Sequence, residues 1–373
     1  MSLLQTEQST QLKAVPKDLI DGSLVISIVN WEQADLTIDC LRSLACEVGS
    51  FSDCHVIVVD NGSRDDSADR LQQAIEDNGW GAWTTLVRAP INAGFAAGNN
   101  IALRRARDHR RWPDFMLLLN SDTVVRPGAL RHLMRFMQDN PSVGIAGALN
   151  EEPDGEPQPS HFRFHGLRSE ICSHMKLGLL DKLLDPRPGD SDDKQPRSVD
   201  WVCGACMMIR TEVFDSIGLL DEGFFLYYEE TDFVLRAKRA GWSCWYVPDS
   251  RIVHLCGKSS GVSWRDSKPN RRPEYLFQSR HRYFVKNHGV LFAALVDGCA
   301  IAAFALWRLR RFLQRKPDRD PPWYLWDLVR HSTFVRGRQI EPSASARPSK
   351  PRTGASPQPS GGALDGHMSS NQA

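Results

Sequence analysis

Four short apolar runs, each leading into a polar cluster, constrain this chain more than any other feature. The runs are SLVISIVNW, CHVIVVDNGS, TTLVRAP and DFMLLLNSD. They are rich in β-branched residues and bounded by turn formers, the pattern of buried strands. Between them lie ADLTIDCLRSLAC, ADRLQQAIEDNG and FAAGNNIALRRARDH, all with helical spacing, the second read as stopping at Gly81. Strand alternating with helix through short loops predicts an α/β fold, a mostly parallel central sheet covered by helices on both faces. In such sheets ligands sit at the carboxyl ends of the strands. The polar clusters fall there: Asn30, then Asp60-Asn61-Gly62-Ser63, then Asn92-Ala93-Gly94, then Asn120-Ser121-Asp122. Four in register point to a site rather than to a set of ordinary turns.

The second half is less regular. GALRHLMRFMQDNP reads as a helix, WVCGACMMIR as a strand, TEVFDSIGLLD as a short helix, EETDFVLRAKRAG as a helix ended by Gly241, and WSCWYVPD as a strand. Polar loops rich in Pro and Gly are expected at about 150–159 and 185–197. The chain looks helical after Tyr275 and turns Ser-, Pro- and Gly-rich after 340. The expected division is a disordered leader at 1–22, a ligand-binding half at 23–125, a second half at 126–288, a helical extension at 289–340 and a disordered tail at 341–373. The 373 residues carry 41% hydrophobic side chains, enough for a large core, and a net charge of +1. That balance gives no polyelectrolyte signature, so no nucleic-acid partner is expected. The polar start lacks a signal-peptide core, and nine scattered cysteines fit reduced thiols of a cytoplasmic protein. Cys203 and Cys206 form a lone CxxC, which is weak as a zinc or redox signal.

The run FFLYYEETDF, residues 224–233, sets Glu229, Glu230 and Asp232 among five aromatic rings. Acids in a first helical turn suit the macrodipole, and Asp232 can pair with Arg236 at i+4. The sharper reading is an active-site carboxylate whose pKa the rings raise. Asp60 either closes an Asx turn over DNGS or accepts the N3–H of a uracil or thymine ring. NAGFAAGNN either starts a helix or lets backbone N–H groups approach a nucleotide. It is not a Walker loop, and no GxGxxG follows the first strand, which excludes a dinucleotide fold of that type. Asp122 is either a turn residue or the one full charge of a Mg²⁺ or Mn²⁺ site. His254 is either a satisfied loop histidine or a metal ligand.

Taken in order, VISIVNW, VVDNGSRDDS, INAGFAAGNNIAL, LLLNSDTVV, GACMMIR and FFLYYEETDFVLR resemble the family 2 glycosyltransferases of GT-A fold, in particular the bacterial rhamnosyltransferase-like branch. The likeness covers about Leu24 to Asn287. It implies an inverting single displacement, with a nucleotide-sugar site formed by Asn30, Asp60, Asn61, Asn92, Gly94, Asn99, Asn120 and Asp122. It implies Mg²⁺ or Mn²⁺ held by Asp122 and His254, although Asn120 and Ser121 stand where the family has acids. The catalytic base falls on Glu230, where Asp is usual, with Glu229 as the alternative. The implied donor is dTDP-rhamnose, with a UDP-hexose as the rival. The implied acceptor is a saccharide or a lipid-linked sugar of cell-surface polysaccharide synthesis. A non-catalytic sugar-nucleotide-binding relative is the competing class, supported by the thinned acidic motif.

One apolar stretch is unabsorbed by that likeness. VLFAALVDGCAIAAFALW, Val290 to Trp307, is followed at once by five cations, Arg308 to Lys316. As a helix it would reach roughly 27 Å, short of a ~30 Å hydrocarbon core, and Asp297 lies near its middle. The expectation is a helix docked on the catalytic domain or lying on the inner membrane, its arginines facing anionic headgroups. An ordinary buried helix is the alternative.

Overall fold

The computed structural model describes residues 19–109, 112–175, 194–255 and 269–340. Most of the expected leader, the 185–193 part of the second polar loop and the tail lie outside these residues. The first half runs β1 (Ile20–Asn30), α1 (Ala34–Ala45), β2 (Phe51–Asp60), α2 (Ser67–Asp77), β3 (Thr84–Arg88), α3 (Phe95–His109) and β4 (Phe115–Asn120). The second runs β5 (Thr123–Val125), α4 (Ala129–Asp139), β6 (Val143–Glu151), β7 (His161–Phe162), α5 (Leu167–Met175), β8 (Arg197–Val199), β9 (Trp201–Val202), β10 (Cys206–Arg210), α6 (Thr211–Ile217), α7 (Glu229–Arg239) and β11 (Ser243–His254). The extension holds α8 (Glu274–His288), α9 (Val290–Leu313), α10 (Tyr324–Arg330) and α11 (Thr333–Arg336).

One mixed sheet takes strands from both halves, in the order β3-β2-β1-β4-β10-β6-β11-β5, with β8 against β11. The β3-β2-β1-β4 group and the β6–β11 pair are parallel, while β10 runs antiparallel to both its neighbours. The two-residue period decides which helix each side chain meets. Ile26, Ile28, Leu117 and Leu119 face the layer of α1, α2 and α4, where Leu41, Leu44, Leu71, Leu133 and Met134 are buried. Val25, Met116 and Leu118 face the opposite layer of α3, α6 and α7, with Leu103, Phe214 and Phe233.

Four local expectations need correction. β1 starts inside the supposed leader, because Ile20 pairs with Phe51 and is buried. The helix α2 ends at Asp77 rather than Gly81, since Gly79 turns left-handed at φ 67°. WVCGACMMIR is two strands, β9 and β10, broken by a turn at 203–205. The loop at 150–159 is partly ladder: β6 continues through Glu151, and Glu151 bridges to Pro157.

The apolar stretch is a longer helix than expected. α9 has 24 residues, about 36 Å, so length does not exclude a span. Packing argues against one. Ala293, Val296, Ala300, Ala303 and Phe304 are buried, the first two among Phe224, Tyr283 and Phe284. Asp297 is buried and accepts from Arg280 Nη1 at 2.5 Å and from the Thr333 backbone N–H at 2.6 Å. Arg280 also donates to Glu170 Oε2 at 2.8 Å. Breaking such a buried pair costs about 3–5 kcal/mol, so the network pins this face of the helix to the catalytic body.

Candidate active site

Strand register assembles the site. Asn30 is the partner of Asp60 across β1 and β2, and Val29 is the partner of Asn120 across β1 and β4. Three polar strand ends therefore share one edge of the sheet. β5 and β11 bring in the fourth, because Thr123 pairs with His254. The turn between β9 and β10 closes over the same edge, with the Asn120 N–H donating to Ala205 O at 3.0 Å.

Asp60 is held rather than free. Its Oδ1 accepts from Asn30 Nδ2 at 2.8 Å and from Ser63 Oγ at 2.6 Å, and its Oδ2 accepts from the Ser63 N–H at 3.2 Å. Asp60 thus closes the DNGS loop through Ser63, and the loop holds the carboxylate in a buried position at the strand end. Asn30 is an orienting residue, since Thr37 Oγ1 donates to its Oδ1 at 2.8 Å. Nothing in the sequence distinguished Thr37 from any other position of α1.

The asparagines of the next loop bind one another. Asn61 Nδ2 donates to Asn92 Oδ1 and to Gly94 O, both at 3.0 Å, and Asn92 Oδ1 also accepts the Gly94 N–H at 3.0 Å. Asn61 Oδ1 is buried without a hydrogen-bond donor. At φ 94°, Gly94 has a conformation L side chains rarely adopt, and a Cβ there would lie 2.3 Å from Phe225 O. The protein's own aromatic loop approaches closely here, secured by Phe95 N–H donating to Phe225 O at 2.7 Å. Asn99 is likewise committed inward: Ser27 Oγ donates to its Oδ1 at 2.7 Å and its Nδ2 donates to Phe95 O at 3.0 Å. These bonds lock α3 onto β1.

Asn120, Asp122 and His254 do converge. His254 Nε2 lies 3.3 Å from Asn120 Nδ2 and 3.5 Å from Asp122 Oδ1. Asn120 Oδ1 and Asp122 Oδ1 are buried with no hydrogen-bond donor. Two orphaned oxygens beside an imidazole nitrogen are costly, and a divalent cation would satisfy both oxygens, with the imidazole within reach. These donors fit a Mg²⁺ or Mn²⁺ ion completed by substrate oxygens. Among the described residues no group of three or more His, Cys, Asp or Glu forms a denser metal site, Cys203 and Cys206 included.

The acidic run begins α7 after an unusual entry. Tyr227 and Tyr228 are both left-handed, at φ 68° and 69°. Two consecutive non-glycine residues in that region hold local strain, and the packing keeps them there: the rings of Tyr228 and Tyr283 are 5.5 Å apart, and those of Tyr227 and Tyr275 are 6.1 Å apart. Phe224 belongs to the core, under the Arg282 guanidinium. Phe225, Tyr227 and Tyr275 stay half-buried and form the rings a sugar could meet. Tyr275, on α8, was not foreseen as part of this cluster.

The three acids separate by environment. Asp232 is fully buried and accepts from Arg236, Lys286 and Asn287 at 2.8–2.9 Å, which ties α7 to α8. Glu229 is 2% exposed with Oε2 unpartnered; burial, and then the charge of Glu230, push its carboxyl well above the usual range. Glu230 is half-buried and lies over Gly204, whose added Cβ would be 3.7 Å from Glu230 Oε1. Burial pushes its carboxyl up to about 6, against the pull of the Glu230 and Thr231 backbone N–H groups. Burial thus raises both carboxyls, the sealed Glu229 most, and leaves Glu230 as the half-buried acid of the pair, beside the Gly204 turn.

Comparison with known proteins places this geometry. The model of the family described as "Glycosyltransferase like family 2" matches residues 22–273. The chain belongs to glycosyltransferase family 2. This glycosyltransferase is 26% identical over 218 residues to the N-acetylglucosaminyl-diphospho-decaprenol L-rhamnosyltransferase of Mycobacterium tuberculosis, covering 55% of this chain and 68% of that one. It is 26% identical over 239 residues to the dTDP-rhamnosyl transferase RfbF of Shigella flexneri, covering 63% and 72%. Its fold is similar to that of the mannosyltransferase PcManGT from Pyrobaculum calidifontis, solved in complex with GDP-Man and Mn²⁺. The TM-score is 0.51 at 14% identity, over 90% of this chain and 92% of that one. The GT-A architecture expected from the sequence is thus present.

Proposed function

We propose that this glycosyltransferase moves a rhamnosyl unit from dTDP-rhamnose, with inversion, to a saccharide or lipid-linked acceptor in cell-surface polysaccharide synthesis. The observation that carries the catalytic part is the placement of Glu230, the half-buried acid of the run beside the Gly204 turn, its carboxyl pushed up to about 6 by burial, while Glu229 and Asp232 are buried. In this reading Glu230 takes the proton from the attacking hydroxyl. Phe225, Tyr227 and Tyr275 pack on the apolar face of the acceptor sugar. Asp60, fixed by Asn30 and Ser63, accepts the N3–H of the donor base through the remaining capacity of its carboxylate. Asp122, His254 and the Asn120 amide hold Mg²⁺ or Mn²⁺, which supplies charge stabilisation for the departing diphosphate. The rhamnosyl donor rests on the likeness to the two rhamnosyltransferases.

The test is release of nucleoside diphosphate from a panel of sugar nucleotides by the purified full chain, with and without excess EDTA. Turnover of dTDP-rhamnose that EDTA abolishes is expected. Turnover of a UDP-hexose alone would replace the donor, and full turnover in EDTA would remove the metal. Binding without turnover of any donor or acceptor would favour the non-catalytic relative.

A further inference from the structure

α9 is apolar on two sides, and only one is covered. The docked side carries Ala293, Val296, Asp297, Ala300, Ala303 and Phe304. On the other side Leu291, Leu295, Leu306, Leu309 and Leu313 are all more than half exposed, Leu291 at 85%. With Gly298 and Ala302 filling the gap after Leu295, the steps are all three or four residues, which makes a single stripe about 33 Å long. Phe334 of α11 widens it, lying 3.6 Å from where a Cβ on Gly298 would be, and is itself 65% exposed. Phe312, Trp323 and Trp326 add further exposed rings to the same extension. Monomeric soluble domains rarely leave so long an apolar surface to water.

Charge indicates the occupant. Arg310 lies four residues after Leu306 and three before Leu313, at the edge of the stripe, and Arg315 and Lys316 follow its end. All three are exposed, and none makes an ion pair among the described residues. The nearby acids are already taken: Asp318 and Asp320 pair with Arg308 and Arg311. An apolar stripe ending in unmatched cations, with exposed tryptophans, suits the boundary of acyl chains and anionic headgroups.

We propose that α9 lies along an anionic bilayer, its outer stripe bedded among the acyl chains and Arg310, Arg315 and Lys316 on the headgroups. The helix does not cross, because its inner face is fixed to the catalytic body through Asp297, Arg280 and Glu170. Tyr275 opens α8, the helix that leads into α9, and stacks near Phe225 and Tyr227. Docking would thereby hold the acceptor side of the cleft near the lipid. The surface stands apart from the question of which sugar is moved.

The experiment is co-sedimentation of the full chain with vesicles of phosphatidylglycerol and phosphatidylcholine, or of phosphatidylcholine alone. Pelleting with the anionic vesicles, weakened by high salt, is expected. Leu306→Asp with Leu309→Asp should weaken it roughly tenfold or more, and Arg310→Glu with Arg315→Glu and Lys316→Glu should remove the preference for anionic lipid. Unchanged diphosphate release from a soluble donor would show that these variants are folded. Three results would overturn the proposal: no pelleting with either vesicle, a dimer that Leu306→Asp with Leu309→Asp converts to monomer while vesicles are ignored, or membrane retention after carbonate that only detergent reverses.

Discussion

Two adjacent glutamates differ here because one side chain is sealed and the other is half-buried beside the Gly204 turn. Glu230→Gln is expected to lower transfer by about 10²–10⁴ while donor affinity, read by calorimetry, stays near wild type. Glu229→Gln should keep most of its turnover, since the carboxyl it replaces is sealed away from an acceptor hydroxyl. The reverse pattern would move the base one residue upstream. Glu230 must be ionised to act, so the rate should fall tenfold per pH unit below about 6 and level off above it. The stability sign is opposite. A carboxyl raised from 4.5 to about 6 favours the folded state at low pH, and that contribution is lost as pH rises through about 6. Glu230→Gln should therefore gain about 1–2 kcal/mol of stability at pH 7, measurable by denaturant unfolding.

The elements of the site are joined loop to loop. The Asn92–Gly94 turn and the Phe224–Tyr228 entry to α7 come from separate halves of the sequence, and they meet where Gly94 lies against Phe225 O. Gly94→Ala puts a methyl group into that contact and a side chain at φ 94°. The expected cost is at least about 1–3 kcal/mol, together with a loss of activity, because the displaced loop leads into α7, which carries Glu230, the proposed base. A thermal melt and a donor-turnover assay would check both, and an unchanged melting temperature would mean that the loops part easily. The helix α9 shows another consequence of position. Read as 18 residues it fell short of a bilayer; the basic residues continue it to Leu313, and Asp297, set against spanning on desolvation grounds, turns out to be an anchor to Arg280.

At the scale of the whole molecule, the helical extension is part of the catalytic body. Phe224, Tyr283, Phe284, Ala293 and Val296 form one cluster across the family domain and the extension. A chain stopped after His288 would uncover that cluster and leave Arg280 buried with half its counter-charge. It is expected to be insoluble or to melt far below the full chain; a soluble fragment with native turnover would make the extension dispensable. By itself the sequence determined the alternating sheet, the polar strand ends and the acidic run, because hydrophobic period and turn chemistry are local. It left open whether Asp60 closes a turn, which glutamate is the more sealed, and what holds Asn99 and Gly94 in place. Two of those depend on partners far along the chain, Ser27 for Asn99 and Phe225 for Gly94, and Glu230 meets the turn at Gly204 only through the β9–β10 reversal. Burial, orphaned oxygens and shifted carboxyls are properties of contacts between distant segments, and only the tertiary structure decides them.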